Sequence, residues 1–430
     1  MTGLALGIDL GTSGVRSAVL DPNGDLVAMA RGSYGPGIDD RRDPMRWWAG
    51  VTDCLTAQMD ALRDEGADPG GITGVAVDGT SGSVVLADAS LAPVTRALMY
   101  DDAGFDREAG LIAGAAPETH VARGPGSALA RTLKLVDEDS AGRAAHLLHQ
   151  ADFIAARLLG KGGWTDLNNA LKTGVDPATG AWPEWMARLP MRPTLLPRPV
   201  PPGAPLGPVK REVAQQLGLP DNTTVHAGTT DSIAAFLAAA APVPGTAVTS
   251  LGTTLAVKLC SEKRIDDVGL GLYAHRVGDG WLVGGASNTG GGVLRHFFST
   301  VELGRLSAKI DPAVKSHLDF YPLLRPGERF PINDPDLEPR LAPRPADDVV
   351  FLHGMLEGIA RIERRAYDVL AGHGAPRPDR IVTAGGGAGN RVWAAIRARV
   401  LGIPVVEAAF TEAAIGAARL AGGHRLPSLG

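Results

Sequence analysis

Apolar and polar positions along this chain fall into blocks whose period changes repeatedly. Leu4-Ala5-Leu6-Gly7-Ile8-Asp9 is a near-continuous apolar run closed by an acid, the pattern of a buried strand. A turn of small and hydroxyl residues follows, and Val15 to Leu20 predicts a second strand. Asp21-Pro22-Asn23-Gly24 carries turn chemistry, with Pro presetting the backbone, and Asp25 to Ala30 returns as a third strand. The period then lengthens. Trp48, Val51, Leu55, Met59 and Leu62 recur at helical spacing and predict an amphipathic helix over 44–65.

The same alternation continues downstream. Val75 to Asp78 and Val84 to Leu86 are short strands on either side of Gly79-Thr80-Ser81-Gly82. Phe351, Met355, Ile359, Ile362, Ala366 and Leu370 mark a long helix, with Gly372 beyond its end. Ile381 to Ala384 is a strand opening into Gly385-Gly386-Gly387, and Val392 to Leu401 is helical. Strands alternating with helices predict an α/β protein. The Pro-rich segment 190–208 has few regular signals and reads as a surface connection or a lid over a neighbouring cleft.

One pattern occurs twice. Ile8-Asp9-Leu10-Gly11-Thr12-Ser13-Gly14 runs into a strand, and Thr249-Ser250-Leu251-Gly252-Thr253-Thr254 is flanked by strands over 247–251 and 255–259. Two strand-turn-strand units sharing a Leu-Gly-Thr turn predict a duplicated architecture. The first copy has Asp9 where the second has Ser250, so one turn is suited to a metal ion and the other only to cradling oxygen atoms.

Composition narrows the classes. A chain of 430 residues predicts about two domains. A net charge of -5 lacks the basic excess of a nucleic-acid binder. The two cysteines, Cys54 and Cys260, have no metal-ligand spacing and make no disulfide framework. The start Met1-Thr2-Gly3-Leu4 lacks a signal-peptide pattern, and the Ala-rich stretch from Ile233 to Val243 is too short to span a bilayer. A cytoplasmic protein with no membrane partner is the expectation.

The candidate chemistry sits in the turns. Gly11, Thr12, Ser13 and Gly14 offer backbone N–H groups and two hydroxyls to phosphate oxygens, and Asp9 offers an oxygen ligand for Mg²⁺; the plain alternative is a tight hairpin. Asp231, in Gly228-Thr229-Thr230-Asp231-Ser232, stands where a helix starts. It is a helix cap, or a general base for a hydroxyl attacking a phosphoryl group, or both. Gly385-Gly386-Gly387-Ala388-Gly389-Asn390 allows close approach of a flat ring or a phosphate but lacks dinucleotide spacing. Asn390 and Trp393 lie one turn apart, and a core role for the Trp is the simple alternative. Gly284 to Gly292, including Gly291, lines a nucleotide cleft or acts as a hinge. Asp101 and Asp102 bind sugar hydroxyls or cap a turn.

Taken together and in order, these segments resemble the FGGY carbohydrate kinases. Gly7 to Ser13 and Ser250 to Thr254 resemble the two phosphate motifs. Ala97-Leu98-Met99-Tyr100-Asp101-Asp102 is similar to a family stretch that carries Trp where Tyr100 stands and an Arg soon after. Asp166 to Ala170, Gly228 to Asp231, Gly385 to Trp393 and Glu412 to Ala418 resemble four further motifs. The resemblance implies an actin/hexokinase-like (ribonuclease H-like) duplicated two-domain α/β fold with an interdomain cleft. It implies a sugar-binding domain over 1–236, completed by 412–430, and a nucleotide-binding domain over 237–411.

It further implies ATP and Mg²⁺ as cofactors, Asp231 as catalytic base, and Asp9 as catalytic residue and metal ligand. Gly11, Thr12, Ser13, Gly252, Thr253 and Thr254 would face phosphates. Gly291, Gly386, Gly387, Asn390 and Trp393 would line the nucleotide site. Asp9, Ser81, Gly82, Asp101 and Asp231 would meet the sugar. Gly79-Thr80-Ser81-Gly82-Ser83 replaces the longer sugar motif of many members. With the segment from Trp281 to Gly290, it is similar to a compact xylulokinase-like subgroup acting on D-ribulose. The expected reaction is phosphorylation of the terminal hydroxyl of a ketopentose, D-ribulose first. The alternatives are xylulose or another polyol, and a catalytically silent regulator on the same fold. Monomer and homodimer both stay open.

Overall fold

The computed structural model describes residues 3–34 and 41–423. Met1 and Thr2 of the signal-peptide reading, and 424–430 of the expected closing segment, lie outside the described residues. The chain divides into two compact units. One holds the chain through Ala238 together with the segment from Glu412, and the other runs Ala239–Thr411.

The first unit carries β1 (Leu4–Leu10), β2 (Gly14–Leu20), β3 (Leu26–Ser33), β4 (Ile72–Gly79), β5 (Val84–Ala87), β6 (His146–His149), β7 (Trp164–Asp166), β8 (Arg198–Val200), β9 (Pro205–Pro208) and β10 (Thr224–Thr230). Its main sheet has the order β3-β2-β1-β4-β10-β9. β1 pairs antiparallel with β2 and parallel with β4, which pairs parallel with β10. Every residue of β1 is buried because both faces of the sheet are covered. Leu4, Leu6, Ile8 and Leu10 share a core with Trp47, Leu55 and Phe153. The helix Pro44–Asp64 packs there, opened by Asp43 accepting from Met45 N–H with Pro44 in its first turn.

The opposite face is lined by small residues, and that is why the helix Ala413–Gly422 can lie on it. A Cβ on Gly7 would stand 1.9 Å from the Ala414 carbonyl oxygen, and one on Gly74 2.5 Å from that of Ala421. Gly7→Ala is therefore expected to destabilise the protein by about 2–3 kcal/mol, read as a lower denaturation midpoint. An unchanged midpoint would show that the helix can shift away without loss.

The second unit carries β11 (Ala247–Leu251), β12 (Leu255–Ser261), β13 (His275–Val277), β14 (Gly280–Ser287), β15 (Ile381–Ala384) and β16 (Val405–Glu407), in the order β13-β14-β12-β11-β15-β16. β11 pairs antiparallel with β12 and parallel with β15, which pairs parallel with β16. Five strands thus repeat the plan of the first unit. Behind β11 the Arg397 guanidinium grips Glu363 with two 2.6 Å bonds and donates to Thr383 at 2.7 Å. Thr249 and Tyr367 complete this buried cluster.

Two sequence readings change. Segment 190–208 contains β8 and β9, and β9 is the edge of the main sheet. Proline hides strand signals but is tolerated at an edge, where the missing N–H faces no neighbour. The Gly-rich stretch from Gly284 is not a hinge at its start, because Gly284 to Ser287 belong to β14. A Cβ on Gly284 would come within 2.0 Å of the Val257 carbonyl oxygen, so the glycine serves close strand packing. Among the described residues no helix is long and apolar enough to cross a membrane.

Candidate functional site

In the first unit, three acids gather at the carboxyl ends of adjacent parallel strands. Asp9 is the penultimate residue of β1, Asp78 lies beside it on β4, and Thr229 of β10 pairs with Asp78 two residues before Asp231. Carboxyl ends of parallel strands are where α/β sheets place ligands. Arg16, opposite Asp9 on β2, donates to its Oδ2 at 3.2 Å, and Glu412 holds Arg16 from the other side at 3.5 Å.

Asp78 is fully buried, and neither carboxyl oxygen meets a donor among the described residues. Burial first, then the charge of Asp9, hold its carboxyl well above the usual carboxylate range. A carboxyl held protonated at Asp78 has the Asp9 carboxylate as its neighbouring acceptor. Burial also raises Asp9, while the bond from Asp78 and the charge of Arg16 oppose that rise. Asp78 was not singled out in the sequence. The available signal was that Val77-Asp78-Gly79-Thr80 repeats the apolar-Asp-Gly-Thr pattern of Ile8 to Thr12 with one residue fewer.

The first turn is fixed by Gly11 N–H to the Gly14 carbonyl at 3.0 Å and by the Tyr34 hydroxyl donating to the Gly11 carbonyl at 2.9 Å. Gly14 is required, since a Cβ there would stand 2.6 Å from the Gly32 carbonyl oxygen. Thr12 and Ser13 are exposed at the tip, with the Tyr100 hydroxyl 3.5 Å from that of Thr12. Asp231 is the first residue of the helix Asp231–Ala239, half-buried, and its Oδ1 accepts the Ser232 N–H at 2.7 Å. Asn168 donates to the Thr229 hydroxyl at 3.0 Å, tying Asp166 to Ala170 to this strand end. Burial, then nearby Asp152, push Asp166 up to about 7.

Ser81 and Gly82 form the tip of the turn after β4. Asp101 is exposed and bonded to Arg41 at 2.9 Å. Asp102 does cap a turn: its carboxylate accepts the Met99 N–H at 2.8 Å and is held by Arg42.

In the second unit, Gly252 N–H bonds the Thr254 carbonyl at 3.1 Å, closing a turn one residue shorter than its counterpart. Gly291 and Gly292 donate to the carbonyls of Gly252 and Thr253, each at 2.9 Å, so they buttress the turn. Thr253 accepts from Arg295 at 2.9 Å. Gly252, Gly291, Gly386, Gly387, Asn390 and Trp393 line one cavity of about 600 Å³ with Leu294, Arg295, Leu303 and Ser307. That volume suits a nucleoside-sized ligand.

The amide of Asn390 is occupied, with Oδ1 accepting the Trp393 N–H at 3.0 Å and Nδ2 donating to Ser307 at 2.9 Å. Trp393 is 2% exposed and its indole N–H donates to the Leu356 carbonyl at 3.1 Å. Its ring belongs to the core and forms the cavity floor under Gly387, rather than an open platform. Trp393→Ala is expected to cost about 3–5 kcal/mol of stability as well as nucleotide affinity. Weakened ADP binding with unchanged thermal unfolding would restore a platform role.

Two mixed sheets of one repeated plan, each with a hairpin turn after its first strand, define the actin-like ATPase class of α/β folds. Residues 4–238 match the N-terminal domain of the FGGY family of carbohydrate kinases, and 247–423 match its C-terminal domain. The chain belongs to the FGGY family of carbohydrate kinases.

The chain is 30% identical to a xylulose kinase of Streptomyces coelicolor over 61% of its length, a stretch that spans 56% of that relative. It is 25% identical to a xylulose kinase of Klebsiella pneumoniae, covering 97% of this chain and 89% of the relative. Among solved structures, a xylulose kinase from Rhodospirillum rubrum superposes with a TM-score of 0.82 at 24% identity, covering 99% and 91% of the two chains. Plasmodium falciparum glycerol kinase with ADP gives a TM-score of 0.81 at 16% identity, covering 97% and 89%. These structural likenesses establish the fold. Among the described residues no group of three or more His, Cys, Asp or Glu could hold a metal ion.

Proposed function

We propose that this chain transfers the γ-phosphoryl group of ATP to the terminal hydroxyl of a ketopentose, D-ribulose first. The observation that carries the reading is the meeting of Asp9, Asp78 and the Asp231 strand end beside the Gly11–Gly14 turn. Asp231 takes the proton of the attacking hydroxyl, and its place at a helix N-terminus favours the ionised form that a base needs. The Gly11–Gly14 and Gly252–Thr254 turns offer N–H and hydroxyl donors to phosphate oxygens. The second-unit cavity takes the nucleoside.

Mg²⁺ fits the donor set of the first unit, which is all oxygen and includes a carboxylate with only one oxygen held by Arg16. Asp9 would hold the ion, directly or through water. Bound there, Mg²⁺ would supply charge neutralisation on the transferring group. Such an ion takes most of its ligands from water and phosphate, so a cage of three protein acids is not required.

The short turn from Gly79 to Ser83 supports D-ribulose, whereas the names of the relatives support D-xylulose. A coupled ADP-release assay across ketopentoses, hexoses and glycerol tests both. The highest kcat/KM is expected for D-ribulose. A preference for D-xylulose would install the second reading. ADP release that ignores every sugar would overturn the kinase reading.

A further inference from the structure

The turn that follows Asp78 is not held by its own backbone alone. Its only internal backbone bond is a long one, Ser83 N–H to the Thr80 carbonyl at 3.4 Å. The stronger ties run to Gln150, the first residue of the helix Gln150–Leu159 and 1% exposed. Gln150 Oε1 accepts the Thr80 N–H at 2.9 Å and the Thr80 hydroxyl at 2.7 Å. The Thr80 and Ser83 hydroxyls are 2.6 Å apart, and Ser83 Oγ accepts the Tyr100 N–H at 3.1 Å. Gln150 N–H donates to the Ser83 carbonyl at 3.1 Å.

The direction of this chain is forced. A backbone N–H can only donate, so the Gln150 atom facing Thr80 is its oxygen, and the amide orientation follows. With the Thr80 proton directed to Gln150, Ser83 must give its proton to Thr80. The bonds therefore run one way, from Tyr100 N–H through Ser83 and Thr80 to Gln150. They tie the turn bearing Ser81 and Gly82 to the segment bearing Tyr100 and Asp101. Arg131 fastens the far side by donating to the carbonyls of Tyr100 and Asp102. Gln150 Nε2 is buried with no partner among the described residues. The amide is thus retained with half its bonding unused, which an apolar side chain would avoid unless the oxygen had a task.

We propose that Gln150 is a positioning residue for sugar recognition, setting the placement of Ser81, Gly82 and Tyr100 through Thr80 and Ser83. The proposal rests on the sugar-kinase reading above. In this role Gln150 acts through Thr80 and Ser83 and not by contact with a substrate.

The test measures both KM values and kcat for the purified full chain, using whichever ketopentose the wild type turns over fastest. Gln150→Leu and Thr80→Val are each expected to raise the sugar KM about tenfold or more, with the ATP KM within about twofold. Thr80→Ser keeps the hydroxyl and is expected to stay within about twofold of wild type. The combined Gln150→Leu, Thr80→Val protein should be no worse than the worse single variant, because one chain of bonds is broken only once. If Gln150→Leu does not fold, Thr80→Val against Thr80→Ser decides. An unmoved sugar KM in Thr80→Val overturns the proposal, and so do sugar and ATP KM values that rise together. Wild-type protein inactive on every sugar overturns the kinase reading and this proposal together. Sugar-dependent wild-type turnover with an unmoved sugar KM in the variants overturns this proposal alone.

Discussion

Asp231→Asn is expected to lower kcat for sugar phosphorylation by about 10³-fold while leaving ADP affinity within about twofold. The Asn variant is chosen over Ala for a physical reason. Asp231 opens a helix and accepts the Ser232 N–H, so removing the side chain would also remove a bond worth about 1 kcal/mol. Asn keeps an acceptor there but cannot take up a proton. A loss seen in Asn as well as Ala belongs to the chemistry, whereas a loss confined to Ala belongs to the helix start. Near-normal turnover in Asp231→Asn would remove the base assignment.

Asp9→Asn is expected to lower kcat by about 10²–10³-fold and yet leave the thermal midpoint unchanged or higher. The two halves have separate causes. Asp9 is a buried acid beside a second buried acid, and its charge is opposed mainly by Arg16. An amide there would still accept from Arg16 and could donate to an Asp78 oxygen that now lacks any other donor. The fold loses a buried charge and keeps an interaction between the two side chains, now with the amide as donor. Phosphoryl transfer loses the carboxylate suited to the metal ion. A fall in stability as large as the fall in activity would show that Asp9 is held for the fold alone.

The two hairpins were legible because a continuous apolar run, a small turn and a second apolar run are all local signals. The register that makes the first hairpin part of a site was not. Asp78 looked like the end of one short strand, and its meaning depends on lying across from Asp9 in a parallel pair that sequence spacing does not reveal. The burial of the Trp393 ring was hidden for a related reason. Helical spacing places the indole near Asn390, but the direction of the ring is set by the distant Leu356 carbonyl. Segment 190–208 was hidden by its own prolines, which weaken a strand signal in the sequence even where a sheet edge tolerates them in the fold. The glycines from Gly284 look alike in sequence, yet those within β14 answer to strand packing and those from Gly290 answer to the second turn.

The order of synthesis gives the small-residue face of the first sheet another meaning. Gly7 and Gly74 are made early, but the helix that covers them, Ala413–Gly422, follows the whole of the second unit. As the chain emerges, the second unit can complete its own core while the first still shows an uncovered sheet face. The first unit starts first and finishes last. A premature stop within the second unit would therefore leave both units incomplete, and nascent chains halted there should be the ones that chaperones hold.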